Sequence, residues 1–138
     1  MRILLGFALL ISCVHCSRAQ DLTVHVIEAS SKQPIENALV RLHYGCSHSM
    51  RPIELKQKTN AAGIAIFHSV SVSPTEFCVF PDYAYDSQEQ PFMFTSPQDA
   101  QNQIKYSGKV FTTLPNEITF HVRRLSFAEH LRKFFRYD

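Results

Sequence analysis

The stretch LTVHVIEASSKQPIENALVRL, residues 22–42, decides the fold of this chain. Its first six residues alternate, so that Leu22, Val24 and Val26 point to one face of an extended strand and the residues between them point to the other. A polar segment closed by a proline then predicts a turn. A second alternation follows over residues 38–44. The stretch therefore predicts two strands that each bury one face.

Further strands are predicted along the rest of the chain. Residues 59–63 form a turn in which Gly63 is free to adopt a positive φ, and the apolar run 64–67 reads as the next strand. The other predicted strands are residues 76–80, 109–113 and 118–123, and a helical turn or two is expected at 97–106. Short strands separated by turns, with no repeat and no linker, predict one all-β domain, an antiparallel β-sandwich of about seven strands.

The chain opens with the pattern of an export signal. A basic residue is followed by a short apolar run, Ile3 to Val14, and then by small residues. A run of about a dozen apolar residues is too short to span a bilayer stably. We therefore expect residues 1–19 to be a signal peptide cleaved after Ala19, and the mature protein to be secreted or periplasmic. The alternative is that LISC, which resembles the bacterial lipobox, makes Cys13 a lipidated first residue.

Removal of this segment changes both the charge and the cysteine content. The full chain has 14 basic and 12 acidic residues, and residues 1–19 contain two arginines and no acid, so the mature chain is formally neutral. A neutral balance gives no support for a nucleic-acid partner. Only Cys46 and Cys78 remain of the four cysteines. An exported chain favours a disulfide between them, and two buried free thiols on neighbouring strands are the alternative.

Residues 126–138 predict a basic amphipathic helix. Ser126 and Glu129 have the spacing of a capping box. The apolar positions at helical spacing are Phe127, Leu131, Phe134 and Phe135, and the basic positions are Arg132, Lys133 and Arg136. We expect a helix from Phe127 to Tyr137 that either docks on the open end of the sandwich or lies on an anionic membrane or a partner surface. From Arg123 onward the formal charge is +3, so the rest of the mature chain carries −3.

The stretch at 22–42, together with TNAAGIAIF at 59–67, resembles the opening of prealbumin-like sandwiches, which include the carboxypeptidase regulatory-like domains. Their signature is an alternating strand, a turn ending in Pro, an Ala-Val strand and a Thr-Asp/Asn-x-x-Gly turn. The resemblance implies an Ig-like Greek-key sandwich over residues 20–125. It also implies a module that is not an enzyme, needs no cofactor and has a binding, assembly or structural accessory role with a protein or glycan partner. Fold alone does not choose among these roles.

Two histidines match a more specific branch of that fold, the hydrolases of 5-hydroxyisourate. His25 in TVHVIE and His121 in FHVRR correspond to the two histidines of that family, and a pair of imidazoles can activate water as a general base. The arginine that follows the turn glycine in the family is Ile64 here, and the terminal Gly-Ser is missing. The resemblance thus implies a degenerate hydrolase, whereas the simpler interpretation of the pair is cross-strand neighbours on a surface.

The sequence DYAYD at 82–86 suggests a carbohydrate-binding loop. Tyrosine rings stack on sugars, and carboxylates accept hydrogen bonds from sugar hydroxyls. The candidate ligand-binding residues are Asp82, Tyr83, Tyr85 and Asp86. The alternative is a solvated connection whose tyrosines cover the edge of the core.

A metal site is not expected. His43, Cys46 and His48 are zinc-type donors within six positions, but their spacing matches none of the usual zinc patterns. The chain also contains neither a Gly-x-Ser-x-Gly nucleophile motif nor a phosphate-binding glycine loop. The sequence therefore predicts a binding module more strongly than an enzyme.

Overall fold

The computed structural model describes residues 19–44, 53–71, 77–89, 91–95 and 110–135. The strands are β1 (Gln20–Glu28), β2 (Leu39–Tyr44), β3 (Ile53–Lys58), β4 (Ile64–Val70), β5 (Phe77–Pro81), β6 (Tyr85–Ser87), β7 (Phe92–Phe94), β8 (Val110–Phe111) and β9 (Glu117–Arg124), and helix α1 covers Phe127–Phe134. Sheet A has the order β4-β1-β9-β6, and sheet B has the order β3-β2-β5-β7-β8. The predicted all-β sandwich with a short C-terminal helix is confirmed.

The structure contains three strands that the sequence did not predict. These are β3, β6 and β7, which lie in stretches without a clear alternation of polar and apolar residues. The edge strand expected at 109–113 is present as β8, and the helical turn expected at 97–106 lies outside the described residues. The export signal at 1–19 and the lipidation site at Cys13 also fall on residues that are not described, so both stay predictions.

Two strand pairings are parallel, which departs from a wholly antiparallel sandwich. Strand β1 runs antiparallel to β4 but parallel to β9, with Val24 opposite Ile118 and Val26 opposite Phe120. Strand β7 is likewise parallel to β8. The first and last described strands therefore lie side by side in the middle of sheet A.

The core lies between the two sheets and is built from alternate residues of the strands. Leu22, Val24 and Val26 of β1 are fully buried, as their alternation predicts. The other core residues are Ala38, Val40, Leu42, Ala65, Phe67, Val70, Phe77, Val79, Phe94, Ile118, Phe120 and Val122. Each large apolar side chain contributes about 1.5–3 kcal/mol when it is buried. Within the described residues, the packed core thus leaves the outer faces of the sheets and the helix as surfaces available for function.

Thr59 joins the turn before β4 to the start of β2. Its side chain is buried, and its hydroxyl accepts a hydrogen bond from the Ala38 N–H (2.8 Å) and donates one to the Ile35 carbonyl (2.6 Å). The backbone of Thr59 pairs with Ala38 and Asn37 as well. Threonine at this position therefore satisfies polar backbone groups that the sandwich removes from water.

The turn after Thr59 requires both an asparagine and a glycine. The Asn60 side-chain oxygen accepts a hydrogen bond from the Ile64 N–H (3.1 Å), which closes the loop at the start of β4. Gly63 has a φ of +71°, and an added Cβ would lie 2.7 Å from the Val26 carbonyl oxygen and 2.8 Å from the Pro34 Cβ. The turn thus packs directly against β1 and the proline turn, which leaves no space for a side chain.

Helix α1 begins where the sequence predicts and ends earlier. Ser126 caps it, and the capping box with Glu129 is present in both directions. The helix ends at Phe134 instead of the expected Tyr137, and residues 136–138 are not described. Among the described residues, no helix has the length and apolar character needed to cross a membrane.

Candidate functional site

A group of polar and aromatic side chains gathers on the outer face of sheet B, and we call it the sheet-B cluster. Its members are Arg41, His43, Glu54, Asp82 and Tyr83. Strand β2 supplies the first two, because its alternate residues point into the core and these two point outward. Strand β3 pairs with β2 and places Glu54 opposite His43, and the turn after β5 supplies the remaining two.

Arg41 is the centre of the sheet-B cluster. Its Nε donates to Asp82 Oδ1 at 2.7 Å, and a terminal nitrogen donates to the Glu54 carboxylate. Its guanidinium carbon lies 5.4 Å from the centre of the Tyr83 ring, within the range of a cation–π contact. Nε2 of His43 lies 2.8 Å from the same Glu54 carboxylate. Arg41 therefore ties β2 to β3 and to the turn after β5.

Ion pairing keeps the charges of this cluster fixed. Hydrogen bonds from Lys56, His43 and Arg41 lower the pKa of Glu54 to about 2. Burial lowers the pKa of Arg41, but its ion pairs with Glu54 and Asp82 outweigh burial and raise that pKa overall. Neither Glu54 nor Arg41 therefore changes its protonation state near neutral pH, and neither is suited to transfer a proton there.

The four candidate carbohydrate residues do not form one surface. Tyr83 is 54% exposed beside Phe80, and Asp82 is engaged by Arg41. Tyr85 lies on β6 of sheet A and packs against the core. Asp86 is exposed on the same strand, and its carboxylate lies 3.6 Å from a guanidinium nitrogen of Arg123. Only Asp82 and Tyr83 belong to the sheet-B cluster.

The two candidate catalytic histidines share the outer face of sheet A. His25 of β1 lies opposite Thr119, and His121 of β9 lies opposite Ile27, so the two histidines are diagonal neighbours two positions apart in register. The buried Nε2 of His25 makes no hydrogen bond within the described part of the chain and lies 3.8 Å from the Glu117 carboxylate.

Glu89 holds His121 in place. One carboxylate oxygen accepts a hydrogen bond from the His121 backbone N–H at 2.7 Å, and the other lies 2.7 Å from its Nδ1. Burial raises the pKa of Glu89, but the hydrogen bonds from His121 reverse this and lower it overall. The carboxylate thus pairs with β9 just beyond the end of β6. Sequence reasoning missed Glu89 because it lies in an irregular stretch with no periodicity.

Helix α1 presents apolar side chains to solvent. Phe127 is 79% exposed, Leu131 is 39% exposed and Phe135 is 72% exposed. These three residues are spaced four apart, so they share one side of the helix, and we call them the apolar stripe. The interpretation that Phe127 and Leu131 dock on the sandwich is therefore wrong. The side chain of Phe134 is not described.

The opposite side of α1 contacts the sandwich through polar groups. Glu129 accepts hydrogen bonds from Arg123 at 3.1 Å, and Lys133 donates to the Tyr85 carbonyl at 3.4 Å. Arg123 and the Ser126 cap lower the pKa of Glu129 to about 2. Arg132 is exposed, and the expected basic residue Arg136 lies outside the described residues. Polar contacts thus orient the helix with the apolar stripe away from the core.

The predicted disulfide and the metal donors fall partly outside the described chain. Cys78 is half-buried on β5 opposite His43, but Cys46 and His48 are not described. The Cys46–Cys78 disulfide therefore stays a prediction. Among the described residues, no group of three or more His, Cys, Asp or Glu side chains is placed to hold a metal ion.

Comparison with known proteins adds little to these observations. No protein-family model matches the chain, and no curated protein matches it. Among solved structures, the chain is similar to the pilus 2b backbone protein of group B streptococcus, with 11% sequence identity and a TM-score of 0.46. The match covers 78% of this chain and 42% of the pilus protein, so this chain spans less than half of that protein's length.

Proposed function

We propose that this chain is an exported, non-catalytic β-sandwich module with a binding, assembly or structural accessory role. The observation that carries the proposal is the pairing of the carboxylates on its surfaces. Glu54, Glu89 and Glu129 are each held by a basic side chain of the same chain. A carboxylate that is engaged in such a pair is not available to exchange protons with a substrate. Ordered, ionised surfaces of this kind are suited to recognition.

A hydrolysis assay tests the non-catalytic part of the proposal. The full chain is incubated with 5-hydroxyisourate, and loss of substrate is compared with the uncatalysed rate and with His25→Ala and His121→Ala variants. We expect the same rate in every case. Turnover by the parent chain that disappears in both variants would establish the alternative, a degenerate hydrolase, and would contradict our proposal.

The export part is tested by the mass of the recovered protein. A first residue at Gln20 supports cleavage after Ala19, and a lipidated Cys13 supports the lipoprotein alternative. An unprocessed N-terminus in a host with an active export pathway would contradict export. The same spectrum, taken after alkylation with and without reductant, tests the proposed Cys46–Cys78 disulfide, because a bonded pair is alkylated only after reduction.

Membership of the prealbumin-like sandwiches is also part of the proposal. It is supported by the turn from Thr59 to Gly63, where each residue of the Thr-Asn-x-x-Gly signature has a structural task in joining β1, β2 and β4. The turn accounts for the signature without reference to any ligand. This is consistent with a family motif that marks a fold and not an activity.

Carbohydrate binding is a second candidate, and the exposed ring of Tyr83 favours it. The ring lies beside Arg41 and Asp82, which supply hydrogen-bond donors and acceptors of fixed geometry. A sugar stacked on an aromatic ring with charged neighbours is a common arrangement in glycan recognition. A glycan array with the parent chain and Tyr83→Ala tests this candidate. Binding that is lost in Tyr83→Ala but kept in Phe127→Ala, a change to another exposed aromatic residue, would support it, and an array without signal would refute it.

A further inference from the structure

The apolar stripe of α1 is exposed although the helix itself is firmly held. Phe127 and Phe135 are among the most exposed large hydrophobic residues of the described chain, at 79% and 72%. The capping box at Ser126 and the ion pair between Arg123 and Glu129 fix the start of the helix. These polar contacts account for the position of the helix, so the exposed apolar side chains are not required to hold it in place. Some surface outside the described chain is therefore suited to cover them.

The charges around the stripe indicate the nature of that surface. Arg132, in the last turn, lies next to the stripe on the helix surface and is exposed. The acid of this helix, Glu129, lies on the opposite side and is neutralised by Arg123. From Arg123 to the end of the chain the formal charge is +3, whereas the remaining mature chain carries −3. The stripe thus belongs to the segment of the sequence that carries the net positive charge.

We propose that α1 binds the surface of an anionic membrane, with the apolar stripe inserted between lipid headgroups and Arg132 in contact with phosphate groups. An amphipathic helix with aromatic residues on one side and basic residues beside them is suited to the membrane interface. Eight residues give a helix of about 12 Å, so its affinity is modest and the binding is reversible. The mature chain before Arg123 carries a formal charge of −3, so an anionic membrane repels it, and this repulsion orients the sandwich away from the membrane surface. This inference goes beyond the accessory role proposed above.

Vesicle flotation tests the inference directly. The processed protein, which begins at Gln20, is mixed at low salt with vesicles of phosphatidylcholine alone, or with vesicles that contain about one third phosphatidylglycerol. We expect the protein to float with the anionic vesicles and not with the neutral ones, and added salt to reduce the bound fraction several-fold. Flotation that is equal with both vesicle types, or absent with both, would overturn the proposal.

Variants of the stripe separate the helix from other sources of binding. The double change Phe127→Ser and Phe135→Ser should lower the bound fraction about tenfold, because both side chains lose their apolar contact with lipid. The matched control is Ile53→Ser, which removes a 70% exposed apolar side chain from β3. We expect Ile53→Ser to bind vesicles as the parent does, and circular dichroism should show all three proteins folded. Equal loss in the control would overturn the proposal.

A second copy of this chain is the competing occupant of the stripe. Light scattering on the lipid-free protein distinguishes it from a membrane. A monomer is expected across the micromolar range. A dimer that Phe127→Ser and Phe135→Ser convert to monomer would show that the stripe is covered by another protomer, and the membrane proposal would then be wrong.

Discussion

Replacing Thr59 with valine tests the account of the turn that joins β4 to β2. Valine keeps the shape of threonine and removes its hydroxyl, so the change isolates two hydrogen bonds, to the Ala38 N–H and to the Ile35 carbonyl. Ala38 is fully buried, and a buried donor left without a partner costs about 1–3 kcal/mol. The Ile35 carbonyl is only partly buried, and the loss of its bond costs about 0.5–1.5 kcal/mol. We expect the free energy of unfolding to fall by about 1.5–4.5 kcal/mol in total.

Thr59→Ser is the matched control, because serine keeps the hydroxyl and loses only a buried methyl group, worth about 1 kcal/mol. Urea unfolding followed by circular dichroism measures both variants, and the midpoint should shift without a change of slope. The decisive result is which of the two variants loses more free energy of unfolding. If valine costs less than serine, shape and not hydrogen bonding explains the threonine, and the reasoning is refuted.

Three further predictions concern single positions. Gly63→Ala should lower the free energy of unfolding by about 2 kcal/mol or more, because φ is positive and an added Cβ would lie 2.7 Å from the Val26 carbonyl oxygen. The control Ala62→Gly should change the free energy of unfolding by less than about 1 kcal/mol. An unchanged melting temperature for Gly63→Ala would contradict this prediction. The pKa of Glu54 is about 2 against an ordinary value of 4.5, so its stabilising effect is complete above pH 4.5 and disappears as the pH falls towards 2. Glu54→Gln should cost about 1–2 kcal/mol at pH 7 and flatten the fall in stability over that acidic range, and parallel unfolding curves for parent and variant would refute it. Ser126→Ala should cost about 1 kcal/mol and increase hydrogen exchange at the first turn of α1, and exchange at the parental rate would show that the cap is dispensable.

The sandwich was predictable where side chains alternate strictly. The alternate apolar residues Leu22, Val24 and Val26 predict β1, and Ile118 and Phe120 predict β9. A strand with one buried face has an apolar residue at every second position of its sequence. Strand β3 leaves no such pattern. Its sequence IELKQK is mostly exposed, and it forms at the sheet edge because β2 offers it hydrogen bonds and not because it buries side chains.

The candidate site was less predictable than the fold. The outward direction of Arg41 and His43 follows from the alternation of β2, but their partner Glu54 lies on the strand that the sequence did not reveal. Likewise, nothing in the residues around Glu89 indicates that its carboxylate pairs with His121. Contacts between distant segments depend on register, which a single sequence does not encode locally.

The capping box gave a firm prediction of where α1 starts, since Ser126 and Glu129 interact within one turn. Which side of the helix faces the sandwich could not be predicted from the sequence, because it depends on contacts of Glu129 with β9 and of Lys133 with β6. The apolar spacing alone is compatible with docking on the core and with exposure. In the structure, the side chains of Phe127 and Leu131 are exposed to solvent.

The adjacency of β1 and β9 sets the order of events when the chain is synthesised. The Gln20 side chain donates to the Leu114 carbonyl, 94 residues further along, and β1 has no second neighbour in sheet A until β9 exists. A growing chain therefore leaves one edge of β1 unpaired until residues 117–124 have been synthesised. Contacts between such distant segments form slowly. The topology thus makes completion of sheet A depend on β9, so the pairing that closes the middle of the sheet is among the last to form.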